Sequence, residues 1–136
     1  IFAGISGDLP NEKLHIFFAD QFEGPYSAHF LNPVVVNPKG SRPGGNLLKI
    51  NNEWVRPAQV SLKYYGEYLQ FNRIMKLSPE EFEEEKIFDL KPSDISSKYC
   101  GLHNISFNNN SAVIDVKKHC TGFRAMKFKM KQNNDR

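Results

Sequence analysis

The strongest constraint on the fold is a succession of four short apolar segments, at residues 46–50, 54–60, 68–77 and 84–90. Polar turns separate these segments, and Asn51-Asn52-Glu53 between the first two is typical of a β-hairpin. In the third segment apolar and polar residues largely alternate, although Arg73 interrupts the apolar side. Four successive strands of this length predict one up-and-down antiparallel sheet with the size of a β-propeller blade.

Segments before and after this sheet also predict strands. Leu14–Asp20 and Pro33–Val36 precede it, and Ile105–Phe107 and Ala112–Val116 follow it as a second hairpin. The lysines that alternate through residues 123–131 favour an exposed edge strand. The whole chain is therefore predicted to be all-β. We expect a single partial propeller domain over residues 1–136, with one full blade at about 41–90 and part-blades at 1–40 and 99–131.

The sequence before the fourth segment predicts a short helical element. Ser78-Pro79-Glu80-Glu81 has the pattern of a capping box with proline at the first helical position. Ile87-Phe88 follows soon after and Pro92 then interrupts the pattern, so we expect one helical turn leading into a strand at Glu84–Leu90. The acidic run from Glu80 to Glu85 is interpreted as a solvated face and not as a metal site.

Composition and charge narrow the function classes. The net charge is +3, and seven of the 18 Lys and Arg residues lie between Lys117 and Arg136. No aromatic motif interleaves with this basic tail, so it does not indicate nucleic-acid binding. No apolar run approaches the roughly 20 residues of a membrane span, and no His and Cys spacing is typical of a metal site. We therefore expect no membrane span, no metal and no cofactor, and the sequence gives no localisation.

The two cysteines flank the second hairpin. Pairing outward from a turn at residues 108–110 brings Cys100 roughly opposite Cys120, which makes a disulfide geometrically feasible. Two free thiols are the alternative, and the sequence leaves both open.

A set of polar residues is predicted to gather near one end of the four-stranded sheet: Arg42, Arg56, Gln59, Tyr65 and His103. Both arginines precede prolines, whose restricted backbone limits where each guanidinium can point. Together these groups suit hydroxyls, a carboxylate or a phosphate. The structural alternative is that the arginines bridge strands, that Tyr65 fills a turn and that His103 is a core histidine.

The order of short motifs along the chain resembles the propeller domain of glucosamine inositolphosphorylceramide transferases and related formyltransferase-linked bacterial proteins. The residues that carry the resemblance are His29, Asn32-Pro33-Val34, Arg42-Pro43-Gly44-Gly45, Arg56-Pro57-Ala58-Gln59, Tyr65-Gly66, Leu77-Ser78, Phe82, Glu84, Gly101-Leu102-His103 and Val113-Ile114-Asp115. The upstream stretches Phe17–Asp20 and Gly24–Tyr26 also fit. Gly44 departs from the pattern, because the family usually has alanine there.

The resemblance implies a five-bladed propeller related in shape to glycoside hydrolases, with a polar pocket on its central axis. It implies that Arg42, Gln59 and His103 lie near that pocket. The expected ligand is a sugar or a glycolipid headgroup, and other blades or a second chain would complete the ring. Glycoside hydrolysis needs two carboxyl groups, for which Asp20 and Asp115 are the candidates because each ends or interrupts an apolar strand.

Three functions remain open at this point. The first is a carbohydrate-binding propeller module associated with a glycan- or glycolipid-modifying enzyme. The second is a glycoside hydrolase or a glycosyltransferase-like enzyme that acts in the same pocket. The third is a structural or protein-interaction scaffold.

Overall fold

The computed structural model describes residues 2–6, 11–108 and 111–119. These residues form ten strands and one short helix: β1 (Phe2–Ser6), β2 (Lys13–Phe18), β3 (Ser27–Ala28), β4 (Val35–Val36), β5 (Leu48–Ile50), β6 (Glu53–Val60), β7 (Tyr68–Leu77), β8 (Phe82–Leu90), α1 (Pro92–Ile95), β9 (Tyr99–Asn108) and β10 (Ser111–Lys118). The prediction of an all-β fold is confirmed for this part of the chain, in which the one helix has four residues. In the described part of the chain no helix has the length and apolar character needed to cross a bilayer.

The strands form three antiparallel sheets. In the first, β2 pairs with β1, β3 and β4; the second runs in the order β5-β6-β7-β8, and the third consists of β9 and β10. The second sheet, here called the central sheet, is the up-and-down sheet that the sequence predicted, and its strand bounds differ from the prediction by at most two residues. A closed ring of blades is not seen in the described residues, so the five-bladed propeller is still an expectation.

The apolar core lies between the central sheet and the β9–β10 hairpin. Leu48, Val55, Leu69 and Phe71 of the central sheet share one face. Leu48 pairs with Val55, and Val55 pairs with Arg73 of β7; Phe71 and Leu69 lie two and four residues before Arg73, so their side chains point to the same side. Leu102 and Ile105 of β9 complete this cluster, and all six are 7% exposed or less. The hairpin predicted around residues 108–110 is confirmed by the pairing of Ser111 with Asn108, although residues 109 and 110 lie outside the described range.

The opposite face of the central sheet buries polar side chains. Arg56 of β6 pairs in register with Asn72 of β7, and both are buried. The Arg56 guanidinium donates to both carboxylate oxygens of Glu84 on β8, at 2.8 and 2.6 Å, and to the Gly40 carbonyl oxygen at 2.6 Å. The Arg56 and Glu84 side chains are only 7% and 12% exposed, so this bidentate ion pair is largely shielded from water.

The loops of the first sheet are held by two polar residues of the resemblance motifs, the half-buried Asn32 and the buried His29. The Asn32 side chain accepts from the Ile16 amide at 2.8 Å and donates to the Ile16 carbonyl at 2.7 Å, as a neighbouring strand would. His29 is 2% exposed, and its Nδ1 accepts from the Leu31 amide at 3.1 Å. The Phe30 amide donates to the Pro79 carbonyl of the β7–β8 turn at 3.1 Å, which ties the first sheet to the central one.

The predicted helical turn at residues 78–81 is wrong. The Ser78 hydroxyl accepts from the amides of Glu80 and Glu81, as in a helix cap, but the Ser78 amide donates to the Glu81 carbonyl at 2.9 Å and closes a hairpin. Phe82 then pairs directly with Leu77, so the strand starts two residues before the predicted Glu84. Pairing with β7 therefore overrides the local capping pattern.

The sequence analysis missed the helix α1. Pro92 is its first residue, and the Asp94 carboxylate accepts from the Lys91 amide at 2.8 Å. Proline at the first position followed by an acidic residue is a recognised helix start, so the signal was present. Cys100 is half-buried at the start of β9, while Cys120 and the predicted edge strand at 123–131 lie outside the described residues.

We expect removal of one partner of the Arg56–Glu84 pair to destabilise the fold strongly. Arg56→Met leaves the Glu84 carboxylate shielded from water without its cation, which costs about 3–5 kcal/mol in comparable buried pairs. The double variant Arg56→Met/Glu84→Met should recover most of this loss, because neither charge then remains. Urea unfolding followed by far-UV circular dichroism measures both.

The matched control is Arg73→Met, which removes an arginine that is ion-paired at the surface of the same sheet with Glu53 and Glu85. Solvent screens that pair, so its loss should be much smaller. A loss for Arg56→Met no larger than that for Arg73→Met would contradict this account of the buried pair.

Candidate functional site

Four of the predicted site residues form one connected cluster at the end of the central sheet. The Arg42 guanidinium carbon lies 5.2 Å from the centre of the Tyr65 ring. The Tyr65 and His103 rings are 5.0 Å apart between centres and tilted by 48°. On the other side of His103, its Nδ1 lies 3.3 Å from a carboxylate oxygen of Asp115. We call Arg42, Tyr65, His103 and Asp115 the Tyr65 cluster.

Three separate parts of the fold supply the cluster. Arg42 lies on the segment that leads into β5, and Tyr65 lies in the loop between β6 and β7. His103 belongs to β9 and Asp115 to β10, which pair with each other. The cluster therefore depends on how the β9–β10 hairpin docks against the loops of the central sheet.

Two glycines allow that close approach. The Leu102 amide of β9 donates to the Gly66 carbonyl at 2.9 Å. A Cβ at Gly66 would lie 2.9 Å from the His103 Cβ, and one at Gly101 would lie 2.6 Å from the Gly66 carbonyl oxygen. Gly66 also has a φ of +70°, which a side chain disfavours. The Tyr65-Gly66 and Gly101-Leu102-His103 motifs are thus parts of one junction.

Gln59 supports the Tyr65 cluster through hydrogen bonds to the chain segments that carry it. Its side chain is buried, and its Nε2 donates to the Ser61 hydroxyl at 2.7 Å. The same hydroxyl accepts from the Gly66 amide at 3.2 Å, while the Gln59 amide donates to the Arg42 carbonyl at 2.8 Å. Gln59 therefore fixes the backbone on both sides of the Arg42–Tyr65 contact.

Arg56 and Asp20 lie apart from the Tyr65 cluster. Strand alternation places Arg56 on the sheet face opposite Gln59, where Glu84 and the Gly40 carbonyl bind its guanidinium. Asp20 is exposed in the loop after β2, beside a shallow depression that Gly24 and Pro25 also line. In the described residues no contact joins Asp20 to Asp115.

The cluster presents an aromatic surface edged with polar and charged groups. Tyr65 is 55% exposed, and the Asp115 side chain is 59% exposed, so both are open to a ligand. Asn11 Oδ1 accepts from the Arg42 Nη1 at 3.3 Å and steadies the guanidinium. Such a surface can stack on an apolar face of a ligand and bind its hydroxyl or anionic groups. The described residues contain no group of three potential metal ligands.

Sequence reasoning missed three supporting residues. Asn11 and Ser61 hold the cluster through the contacts just described, and the Lys117 ammonium lies 5.7 Å from the centre of the Tyr64 ring next to the cluster. Asn11 is 31 residues from Arg42 in the sequence. No local pattern connects residues so far apart, whereas Lys117 could have been considered because it is two residues from Asp115.

Comparisons with known proteins point to a distant relationship with a glycolipid-modifying transferase. The chain is 34% identical over 76 residues to glucosamine inositolphosphorylceramide transferase 1 of rice, in both the japonica and indica subspecies. The match covers 54% of this chain but only 10% of the length of the rice protein. No protein-family model matches the chain, and no solved structure matches it significantly. The similarity supports a distant relationship to the rice transferase.

We expect Gly66→Ala to separate Tyr65 from His103. The added Cβ would meet the His103 Cβ at 2.9 Å, so the loop or β9 must shift. Overpacking of this kind costs about 1–3 kcal/mol. Urea unfolding measures the loss, and nuclear Overhauser contacts between the Tyr65 and His103 rings should weaken.

Gly4→Ala is the matched control. A Cβ at Gly4 would meet Leu14 Cδ1 at 3.4 Å, an ordinary van der Waals contact. Gly4→Ala should therefore keep the stability and the ring contacts of the wild type. If Gly66→Ala kept both as well, the close approach at Gly66 would not be required to assemble the Tyr65 cluster.

Proposed function

We propose that this chain is a carbohydrate-binding module, part of a five-bladed β-propeller associated with a glycan- or glycolipid-modifying enzyme. The observation that carries the proposal is the exposed Tyr65 ring, which contacts both the Arg42 guanidinium and the His103 imidazole. A sugar offers the complementary chemistry, because its apolar C–H face can stack on an aromatic ring while its hydroxyls bind arginine and histidine. The distant relationship to the rice transferase supports a glycan-related role.

The propeller is the architecture that the central sheet supports best. Its four strands follow one another in the order β5-β6-β7-β8, as they do in a propeller blade. The β9–β10 hairpin packs against one of its faces, and β1 and β2 lie across a cavity from the other, as neighbouring blades would flank it in a ring. Further blades of a longer chain, or a second chain, would complete the ring and its axial pocket.

Within the module, the residues divide into two roles. Arg42, Tyr65 and His103 contact the sugar, and Asp115 orients the His103 imidazole through its carboxylate. Gln59 positions the Arg42 backbone and the loop that carries Tyr65. Arg56 stabilises the central sheet through Glu84 and does not contact the ligand.

A titration with glucosamine and with myo-inositol 1-phosphate, followed by heteronuclear NMR, tests the module. We expect saturable shifts for the amides of residues 42, 65 and 103. Arg42→Ala should weaken binding by about 10- to 100-fold, since a hydrogen bond to a charged group contributes about 1.5–3 kcal/mol. Tyr65→Ala should also weaken binding, because it removes the ring on which the sugar stacks. Thermal stability should stay close to that of the wild type.

Arg73→Ala serves as the control, because it removes the same charge from an exposed site outside the Tyr65 cluster. Binding that is lost equally in Arg42→Ala and Arg73→Ala would point to a non-specific charge effect. If the wild type bound neither compound and the Arg42→Ala and Tyr65→Ala variants lost thermal stability, the scaffold function would be favoured instead.

The contact between His103 and Asp115 favours an enzyme as the second candidate. A carboxylate that orients an imidazole can support proton transfer, and Asp115 is exposed to a ligand bound at Tyr65. Asp20 would be the second carboxyl group if the assembled protein brought it to the pocket. A glycosidase that retains the configuration of the sugar needs its two carboxyl groups about 5–5.5 Å apart. The activity would be that of a glycoside hydrolase or a glycosyltransferase.

Hydrolysis of aryl glycosides tests this candidate. If the chain is a glycosidase, Asp115→Asn should lower kcat by at least about 100-fold, the lower range for loss of general acid–base catalysis. Asp20→Asn should have a comparable effect, whereas Asp94→Asn, which changes the exposed cap of α1, should have none. Wild-type turnover that both Asp115→Asn and Asp20→Asn retain would exclude these two residues as the catalytic pair.

A further inference from the structure

β10 pairs with β9 along one edge, and in the described residues no strand pairs with its other edge. Ile114 lies opposite Ile105 of β9, whose amide donates to the Gly44 carbonyl and so points away from β10. Residues that face each other in an antiparallel ladder turn their backbone groups the same way, either toward each other or outward. The amide and the carbonyl of Ile114 therefore point to the open edge.

The same orientation repeats at every second residue of β10. Ala112 and Val116 lie opposite Phe107 and Leu102, whose amides also donate to groups away from β10. Both register shifts of the hairpin skip a residue of β9 and none of β10, so β10 alternates without a break. The open edge thus presents a row of amides and carbonyls with which one more strand can pair.

The two faces of β10 define the kind of strand that fits. Ile114 and Val116 are partly buried against the apolar core, so the same face of an added strand needs apolar side chains. Asp115 points to the other face, where its carboxylate contacts His103 and its side chain is 59% exposed. A basic residue directly opposite Asp115 would complement this charge.

The sequence that follows β10 carries this pattern. Within residues 123–131, apolar residues alternate with basic ones in the order Met126-Lys127-Phe128-Lys129-Met130. Successive side chains of a strand point to opposite faces, so the methionines and Phe128 fit the core side and the lysines fit the side of Asp115. This one segment therefore matches both faces of the open edge.

One register satisfies both faces at once. With Phe128 opposite Ile114, Lys127 lies opposite Asp115, and residues 119–123 are left as a connection of ordinary hairpin length. Pairs of an aromatic with a β-branched residue, and of opposite charges, are both favourable across strands.

The neighbouring registers fit less well. A shift of two residues in one direction places Ala125 opposite Asp115, which leaves the carboxylate without a cation. A shift of two residues in the other direction places Lys127 opposite Lys117, and like charges directly opposite each other are destabilising.

We propose that the open edge of β10 binds residues 123–131 of the same chain as a third, antiparallel strand, with Phe128 opposite Ile114 and Lys127 paired with Asp115. A second copy of β10 is the rival occupant, but the short connection makes pairing within the chain intramolecular and so favours it. Lys127 then becomes a neighbour of the Tyr65 cluster, because Asp115 also contacts His103. The proposal holds whether or not that cluster binds a sugar.

NMR spectroscopy of the full chain without ligand tests the strand and its register. The amides of residues 112, 114 and 116 should exchange with deuterium slowly, as those of residues 113 and 115 do through their bonds to β9. A nuclear Overhauser contact should join the Hα atoms of Asp115 and Lys127, which form a pair of the closely spaced kind. Rapid exchange at all three outward amides, or a contact from Asp115 to any other residue of the segment, would overturn the proposal.

A substitution on the apolar face tests the packing. Phe128→Glu should speed exchange of the Ile114 amide at least about tenfold, because it removes a large apolar side chain from the core face. Lys129→Glu changes a residue on the other face of the same segment and should have little effect on that amide. The amides of residues 113 and 115 should stay protected in both variants, which shows that the hairpin is intact. An equal effect of the two substitutions would contradict the assigned faces.

A charge exchange tests the ion pair. Lys127→Glu sets two carboxylates opposite each other and should speed exchange of the Ile114 amide about two- to fivefold. The double variant Asp115→Lys/Lys127→Glu should restore the wild-type rate, because it reverses the pair without removing it. A double variant that exchanges as fast as Lys127→Glu alone would show that the two side chains do not meet.

Sedimentation of the full chain distinguishes the two occupants of the edge. We expect a monomer whose amide protection at residues 112, 114 and 116 does not change with protein concentration. Protection that rises with concentration as a dimer forms would assign the edge to a second copy and overturn the proposal. None of these measurements contains a sugar, so their failure is distinct from a failure of the proposed function.

Discussion

The ion pair between Arg56 and Glu84 is the interaction on which the arrangement of the central sheet depends. It joins β6 to β8 across β7, because Asn72 of β7 lies in register between the two strands that carry the charges. Its third bond, to the Gly40 carbonyl, extends the link to the loop that precedes Arg42. One guanidinium therefore connects two strands of the sheet with the segment that enters the Tyr65 cluster.

A strand that is buried on both sides needs two different kinds of neighbour. In β6, residues 55–60 are all buried. Val55 faces the apolar core with β9, whereas Arg56 faces the polar layer beneath the first sheet. The cost of burying that charge is met by bidentate geometry and by a second acceptor, which are the conditions under which a buried pair is tolerated. Because side chains alternate along β6, the strand faces apolar neighbours on one side of the sheet and polar neighbours on the other.

The sequence predicted the strands well because their periodicity is a local property. It predicted the four strands of the central sheet to within two residues, and it predicted the β9–β10 hairpin from the apolar arms around residues 108–110. Met75 shows where periodicity alone fails. Simple alternation from Leu69 and Phe71 places it on the apolar side, yet it is 52% exposed, because register shifts in the β7–β8 pairing change which residues face the core.

The sequence predicted in part which side chains of the candidate site lie together, and there is a physical reason why some were grouped correctly and Arg56 was not. Arg42, Tyr65 and His103 were grouped because each lies in a short motif that contains proline or glycine, and those motifs do mark the places where the chain segments meet. Arg56 shares the same local pattern but points to the other face, because it is an odd number of residues from Gln59 along a strand. Its partner Glu84 is 28 residues away in an acidic run, and only the pairing of β7 with β8 distinguishes it from its neighbours there.

The two faces of β6 should act independently in energetic terms. Arg56 and Gln59 are three residues apart, which is about 10 Å along an extended strand. Their hydrogen-bond partners differ: Glu84 and Gly40 bind one, and Ser61 and the Arg42 carbonyl bind the other. Sites at this separation without shared partners usually contribute additively. The ion pair of Arg56 and the support that Gln59 gives to the Tyr65 cluster should therefore contribute to the free energy of unfolding in a largely additive way, although one strand carries both residues.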